Sequence, residues 1–294
     1  MADYVLSCCS TADVSRELLD SRDIAYVLFN FELDGEPRKD DFWESLSQRE
    51  MFSRMLDGAS ARTSQVSAGE YEQHFERFLS QGLDVVHVTL SSGISATYNS
   101  ACVARDMLAE RYPDNHVYVV DSLAASAGFG LLVDRMADLR DEGMGAAELA
   151  AWADEHKREV QHWFFSTDLT FFIRGGRISK AAGMAAGVLR ICPLMWVAPD
   201  GSLEVKEKIR TKAKTIARDV DVMERLAAGG RDYDGKVFIS HADCIDDARE
   251  VARRVEERFP NIDGPVRIYE IGATIGVHTG PGTVALFYWG EPRA

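Results

Sequence analysis

A two-lobed α/β architecture is predicted by three features of this 294-residue chain. Strand-forming apolar runs alternate with stretches of helical spacing through the first half, which argues for a mainly parallel sheet covered by helices. The second half carries two strand-like runs around a Pro-Asp-Gly turn, the mark of an antiparallel hairpin. Apolar residues make up 46 % of the chain, enough for a sizeable core. The expected arrangement is a three-layer lobe over residues 1–160, built on a mainly parallel sheet, and a second α/β lobe over 161–294 with a mixed sheet and helices on one face.

The elements follow in order. "DYVLSC" reads as a buried first strand and "DVSRELLD" as a short helix. "VLSC" loosely resembles a lipoprotein cleavage site, but Met1 to Ser7 lacks the basic start and apolar stretch of a signal peptide. "IAYVLFNFEL" is rich in strand formers and is closed by "DGEP". "DDFWESLSQREMFSRML" has helical spacing with Trp43, Leu46, Phe52 and Met55 inward, and "DGASARTSQV" reads as a loop. Ser67 and Glu70 have the spacing of a capping box and open the next helix. Strand 84–90, helix 97–111, strand 116–120 and two further helices complete the first half.

"HWFFST" opens the second half as a strand. An aromatic helical stretch, a Gly-Gly pair and a small-residue helix follow, then the hairpin "ICPLMWVAPDGSLEVKEKI". A helix over 211–228, strand "KVFIS", a helix over 244–258 capped by Asp243, strand "VRIYEIG" and a final strand "TVALFYW" end the chain. No internal repeat stands out.

Composition narrows the function. A formal charge of −14 and the absence of a basic run argue against a nucleic-acid partner, whose binding rests on neutralising phosphates. No apolar stretch reaches the ~18 residues of a membrane span, so no stable membrane insertion is expected. Five cysteines, an odd number without a C-x-x-C pair, fit a reduced, cytoplasmic setting. "SHADC" matches no standard zinc spacing, so no metal site is expected.

Four stretches carry chemistry. "TLSSGISATYNSA", residues 89–101, is rich in hydroxyls where a strand turns into a helix. A helix start presents unpaired N–H groups and partial positive charge, which suits a carboxylate or phosphate. Ser91, Ser92, Ser95 and Thr97 could add donors and Gly93 could admit a ligand to the backbone. Two other readings remain open: a serine that merely caps the helix, and a nucleophile. Gly93-Ile94-Ser95 begins a G-x-S-x-G elbow, and the order Ser95, Asp243, His278 suits a hydrolase, although Thr97 replaces the second glycine. "ARTSQV" brings Thr63 and Ser64; "GATIGVHTGPG" brings His278 and Thr279 on a glycine-dense backbone. In "FIRGGRISK", Arg174 and Arg177 could bind phosphate, dock an acidic partner, or simply start a solvated helix. The aromatic run Trp163, Phe164, Phe165, Phe171 and Phe172 reads as core or as the wall of an apolar tunnel.

Together these stretches resemble the DegV family of bacterial fatty-acid-binding proteins. "STAD" at 10–13, "TSQ" at 63–65, "SSGISATYNSA" at 91–101, "VDSLAASAGFGLLV" at 120–133, "GGRIS" at 175–179 and "IGVHTGPG" at 275–282 fall in family order over nearly the whole chain. Cys9, Val66 and Ala96 depart from the usual Asp, Pro and Gly. The resemblance implies a long-chain fatty acid between and within two lobes. Its carboxylate would be held by Thr63 and Ser95 with His278 close by, and Ser64, Ser92, Gly93, Thr97 and Thr279 in support. It also implies a carrier rather than an enzyme, one that presents its ligand to a separate fatty-acid kinase subunit, with Arg174 or Arg177 meeting that partner or the phosphate. The chain has no G-x-x-x-x-G-K-[ST] stretch for ATP, and no cofactor beyond the lipid is expected.

Overall fold

The computed structural model describes residues 4–179 and 191–294. Strand β1, Tyr4–Cys9, is buried along almost its whole length, as a strand covered on both faces must be. It pairs in parallel with β2 (Ile24–Val27) and β6 (Asp84–Thr89), and β6 pairs in parallel with β7 (Val117–Asp121), giving the order β2-β1-β6-β7. Helix α1 is Arg16–Ser21 and α2 is Gln48–Leu56. Helices α3 (Ala68–Leu79) and α4 (Thr97–Ala109) pack together on this sheet. The α3 start is the expected capping box: the Glu70 N–H donates to Ser67 Oγ at 3.2 Å and the Ser67 N–H to Glu70 Oε2 at 2.9 Å.

Three expectations for residues 24–66 fail for physical reasons. The run 24–33 is two strands in different sheets. Its break lies at Phe29, which is buried and whose N–H donates to Ser10 Oγ at 3.1 Å instead of to a ladder partner. Strand β3 (Asn30–Leu33) joins an antiparallel three-stranded sheet, β4-β3-β5, with β4 at Glu36–Lys39 and β5 at Ala61–Ser64. The expected loop at 57–66 therefore contains a strand. The helix expected from residue 40 begins only at 48, because Phe42 and Trp43 sit at φ of 61° and 66°, outside helical space. Trp43 is accordingly only half-buried, while Leu46, Phe52 and Met55 do face inward.

The second sheet has six strands in the order β10-β9-β8-β13-β11-β12. These are β8 (Val160–Ser166), β9 (Leu194–Val197), β10 (Leu203–Glu207), β11 (Phe238–His241), β12 (Arg267–Glu270) and β13 (Thr283–Trp289). Only the β11–β12 pair is parallel, so the sheet is mixed as expected. Helices cover both of its faces, not one. Alternate residues divide between two cores: Trp163, Phe165, Leu286 and Tyr288 lie with α8 (Lys212–Leu226) and α9 (Ile245–Arg258), whereas Phe164, Ala285 and Phe287 lie with α5 (Ser126–Asp141). Asp243 does not cap α9; it takes φ of 47°, and Cys244 occupies the cap position without a side-chain capping bond.

Helix α5 is buried on nearly all sides because it lies between the two large sheets. A Cβ on Gly128 would fall 2.4 Å from Phe287 in the second sheet's core, and one on Gly130 2.4 Å from Val14 beside the first, so glycine permits both approaches. Helix α6 is Ala146–His156 and α7 is Thr170–Arg174. A third core joins Phe31 and Leu33 of β3, Met51 and Phe52 of α2, and Val277 of α10 (Ala273–Thr279). This core places β5 beside α10. The small-residue stretch 180–190 lies outside the described residues.

Candidate functional site

Thr63 owes its direction to strand register. It pairs with Phe31, and Ala61 pairs with Leu33, so both follow the buried side chains of β3 inward. His278 sits near the end of α10, whose first turn is fixed from a distance: the Ala273 and Thr274 N–H groups donate to the two carboxylate oxygens of the buried Asp40 at 2.9 and 3.1 Å. The two side chains meet with Thr63 Oγ1 2.7 Å from His278 Nε2.

Arg177 sets the state of that histidine. Its Nη1 lies 3.4 Å from His278 Nδ1, and among the described residues the guanidinium also donates to the Gly175 and Ile94 carbonyls at 2.7 and 3.2 Å. A guanidinium only donates, so Nδ1 accepts and the neutral ring carries its proton on Nε2. The Nε2–H then donates to Thr63 Oγ1, and the threonine O–H is left to donate outward. Burial, reinforced by the Arg177 charge, pushes His278 down to about 4, so the ring is neutral at neutral pH. Burial also lowers Arg177, which finds no carboxylate among the described residues. Gly175 makes room for this contact, since a Cβ there would stand 2.3 Å from His278 Nδ1.

Thr63, Ser64, Ser95, Arg177, His278 and Thr279 all line one cavity of about 220 Å³. No acidic residue lines it among the described residues. Ser95 Oγ accepts the Thr97 N–H at 3.3 Å, leaving its O–H to donate. The Thr279 hydroxyl is buried with no partner among the described residues, a state that calls for a ligand or water. Phe29, Leu90, Ile94, Phe172, Leu203 and Ile275 supply apolar walls. The cavity thus combines hydroxyls, a histidine and one cation with apolar walls.

Five candidate residues lie elsewhere. Ser91 is buried and donates its hydroxyl to the Gly201 carbonyl at 2.9 Å. Thr97 turns its hydroxyl into the core, 2.7 Å from Tyr71. Gly93 serves packing: a Cβ would lie 2.6 Å from the Gly201 backbone in the β9–β10 turn. Ser92 is exposed, with its N–H on Asp121 Oδ1 at 3.0 Å. Arg174 is exposed, its guanidinium 5.4 Å from the Phe171 ring centre. Of the aromatic run, all five residues are core and only Phe172 also meets the cavity. Sequence reasoning did not single out Gln65 or Thr274, which also line the cavity. Both flank residues it did name, and that adjacency was the available signal. Among the three departures, Cys9 and Val66 are wholly buried and Ala96 lies at the cavity.

The model of the DegV family, described as uncharacterised proteins, matches residues 9–291. A DegV domain-containing protein of Clostridium perfringens is 31 % identical over 293 residues, covering 100 % of this chain and 99 % of that one. A fatty acid (stearic acid)-binding protein from Eubacterium ventriosum superposes with a TM-score of 0.86 at 25 % identity, over 97 % of this chain and 98 % of its own. The fatty acid kinase (Fak) B3 protein of Streptococcus pneumoniae, solved loaded with linoleic acid, shares the fold with a TM-score of 0.84 at 21 % identity, over 99 % and 100 %. The sequence match and the shared architecture agree: the chain belongs to the DegV family.

Proposed function

We propose that this protein binds a long-chain fatty acid, its carboxylate held by Thr63 and Ser95 beside His278 and Arg177. The observation that carries this reading is the half-buried Arg177 cation with no carboxylate partner among the described residues, in a cavity that also has apolar walls and hydroxyls left to donate. A desolvated charge without a counter-ion is costly, and an anionic head group relieves that cost. Burying the tail favours binding by up to ~0.8 kcal/mol per CH₂, while the head group sets orientation. Ser64 and Thr279 support the polar end. The lobes, 1–160 and 161–294, contribute Thr63 and Ser95 from one side and Arg177 and His278 from the other.

The protein acts as a carrier, presenting the acid to a separate fatty-acid kinase subunit that forms the acyl phosphate. The linoleate-loaded kinase B3 relative supports this role. Arg174, exposed beside the cavity-lining Arg177, meets that partner or the phosphate. Arg174→Ala should leave fatty-acid affinity unchanged and slow acyl-phosphate formation with a matching kinase; equal rates would remove the role.

The rival reading, a serine hydrolase using Ser95 and His278, fits the geometry poorly. His278 Nε2 is on Thr63, and Nδ1 faces a cation where a triad would place a carboxylate. Mass spectrometry of the denatured, purified protein tests the proposal directly. A co-purified long-chain fatty acid is expected; protein free of lipid that also fails to bind added palmitate would overturn it. Labelling of Ser95 by a fluorophosphonate probe would support the hydrolase.

A further inference from the structure

The turn before α4 is held at Ser92 and Ile94, but the helix start behind it has no side-chain cap. Helix α4 starts at Thr97 behind Ala96, whose methyl cannot cap, and no side-chain cap is present. Yet the Thr97 N–H must be fixed in place, because it donates to Ser95 Oγ and so helps decide where the serine O–H points. What holds Thr97 lies beneath the turn. Its hydroxyl is 2.7 Å from the hydroxyl of Tyr71, on α3, and both residues are wholly buried.

We propose that Tyr71 is a positioning residue for the carboxylate site, acting through Thr97 to orient the Ser95 hydroxyl. The inference rests on the proposed function and goes one step deeper into it. Tyr71 is itself immobilised. Its ring stacks on Phe75 at 5.5 Å and 22°, and His87 meets it edge-on at 5.2 Å. Its hydroxyl also lies 3.2 Å from Cys9 Sγ. A hydrogen-bonded chain continues from there into the sheet: Cys9 Sγ to His87 Nε2 at 3.6 Å, His87 Nδ1 to Ser7 Oγ at 3.0 Å, and Ser7 Oγ to His74 Nε2 at 2.7 Å. Burial pushes Cys9 up to about 12 and His74 down to about 4, raises Tyr71 and lowers His87. Every member is therefore neutral near pH 7, and the chain works as a strut whose charge stays constant. A rigid support beneath a binding hydroxyl holds the geometry a charged head requires.

The test separates head-group positioning from general loosening. Palmitic acid and 1-hexadecanol share a tail and differ at the head. Their affinities for the delipidated full-length protein are measured by competition against a fluorescent fatty acid. Wild type should prefer the acid. Tyr71→Phe and Thr97→Val should each weaken palmitate about tenfold and leave hexadecanol within about twofold. Thr97→Ser, which keeps the hydroxyl, should restore palmitate binding. An undiminished preference for the acid in Tyr71→Phe and Thr97→Val, or an equal loss for both ligands, overturns the positioning role. A wild type that binds acid and alcohol equally overturns the head-group reading itself, and Tyr71's role with it.

Discussion

Thr63 and His278 stand 215 positions apart in the chain and meet at 2.7 Å. Strand β5 presents one and helix α10 the other, and the small third core of Phe31, Phe52 and Val277 holds the two elements side by side. The contact leaves an outward-facing threonine O–H, which with the Ser95 O–H gives the cavity two of its hydroxyl donors.

Losing either donor should weaken fatty-acid binding without unfolding the protein. A hydrogen bond to a charged group is worth ~1.5–3 kcal/mol, roughly 10- to 150-fold in affinity. Thr63→Ala and Ser95→Ala are each expected in that range by competition binding, with the melting temperature little changed. Unchanged affinity in the double variant would exclude the assigned head-group position.

His278 gives a pH signature. Its folded value of about 4 lies below the ordinary 6.5, so between those values the unfolded chain binds the extra proton and the folded one does not. Stability should therefore fall as pH drops through 6.5 towards 4, and His278→Gln should flatten that part of the curve. Imidazole NMR of the lipid-free protein should show a midpoint near 4, moving upward in Arg177→Gln because the neighbouring charge is gone. A midpoint at 6.5 in the wild type would contradict the buried, neutral ring.

Asp219 should work in the opposite direction. It is wholly buried on α8, neither carboxylate oxygen has a partner among the described residues, and desolvation pushes it up to about 8. It keeps its proton at neutral pH, whereas the unfolded chain releases it from about 3.8 upward. Its contribution is intact below that pH and is lost as pH rises through about 8. Asp219→Asn should thus stabilise the protein more at pH 8 than at pH 4, by up to a few kcal/mol. Parallel pH–stability curves for the two proteins would refute this.

Gly93→Ala should destabilise the junction of the turn with the hairpin. The new methyl would meet the Gly201 carbonyl carbon at 2.6 Å and the Asp200 oxygen at 2.7 Å, both backbone atoms with little freedom to retreat. A loss of ~1–3 kcal/mol is expected in denaturant melts. A neutral result would show that the two turns can separate at no cost.

Local signals were read correctly where the physics is local. Ser67 and Glu70 announced a helix start, and Pro199-Asp200-Gly201 a hairpin, because a few adjacent residues decide each. Residues 61–64 escaped notice because Ala-Arg-Thr-Ser has no apolar alternation; its strand exists only through β3, itself hidden by the unbroken apolar run 24–33. The site followed the same division. Thr63, Ser95 and His278 were legible as donor-bearing stretches, but Thr97 looked like one more donor. Only the packing of α3 against α4 reveals that its hydroxyl belongs to Tyr71.

Helix α5, pressed between both large sheets, has a mechanical consequence. Parting the two sheets would strip it of a neighbour and expose Phe287 or Val14 to water, so a clamshell opening carries that cost. Heating should therefore dismantle both sheets in one concerted step, with far-UV and near-UV signals melting together.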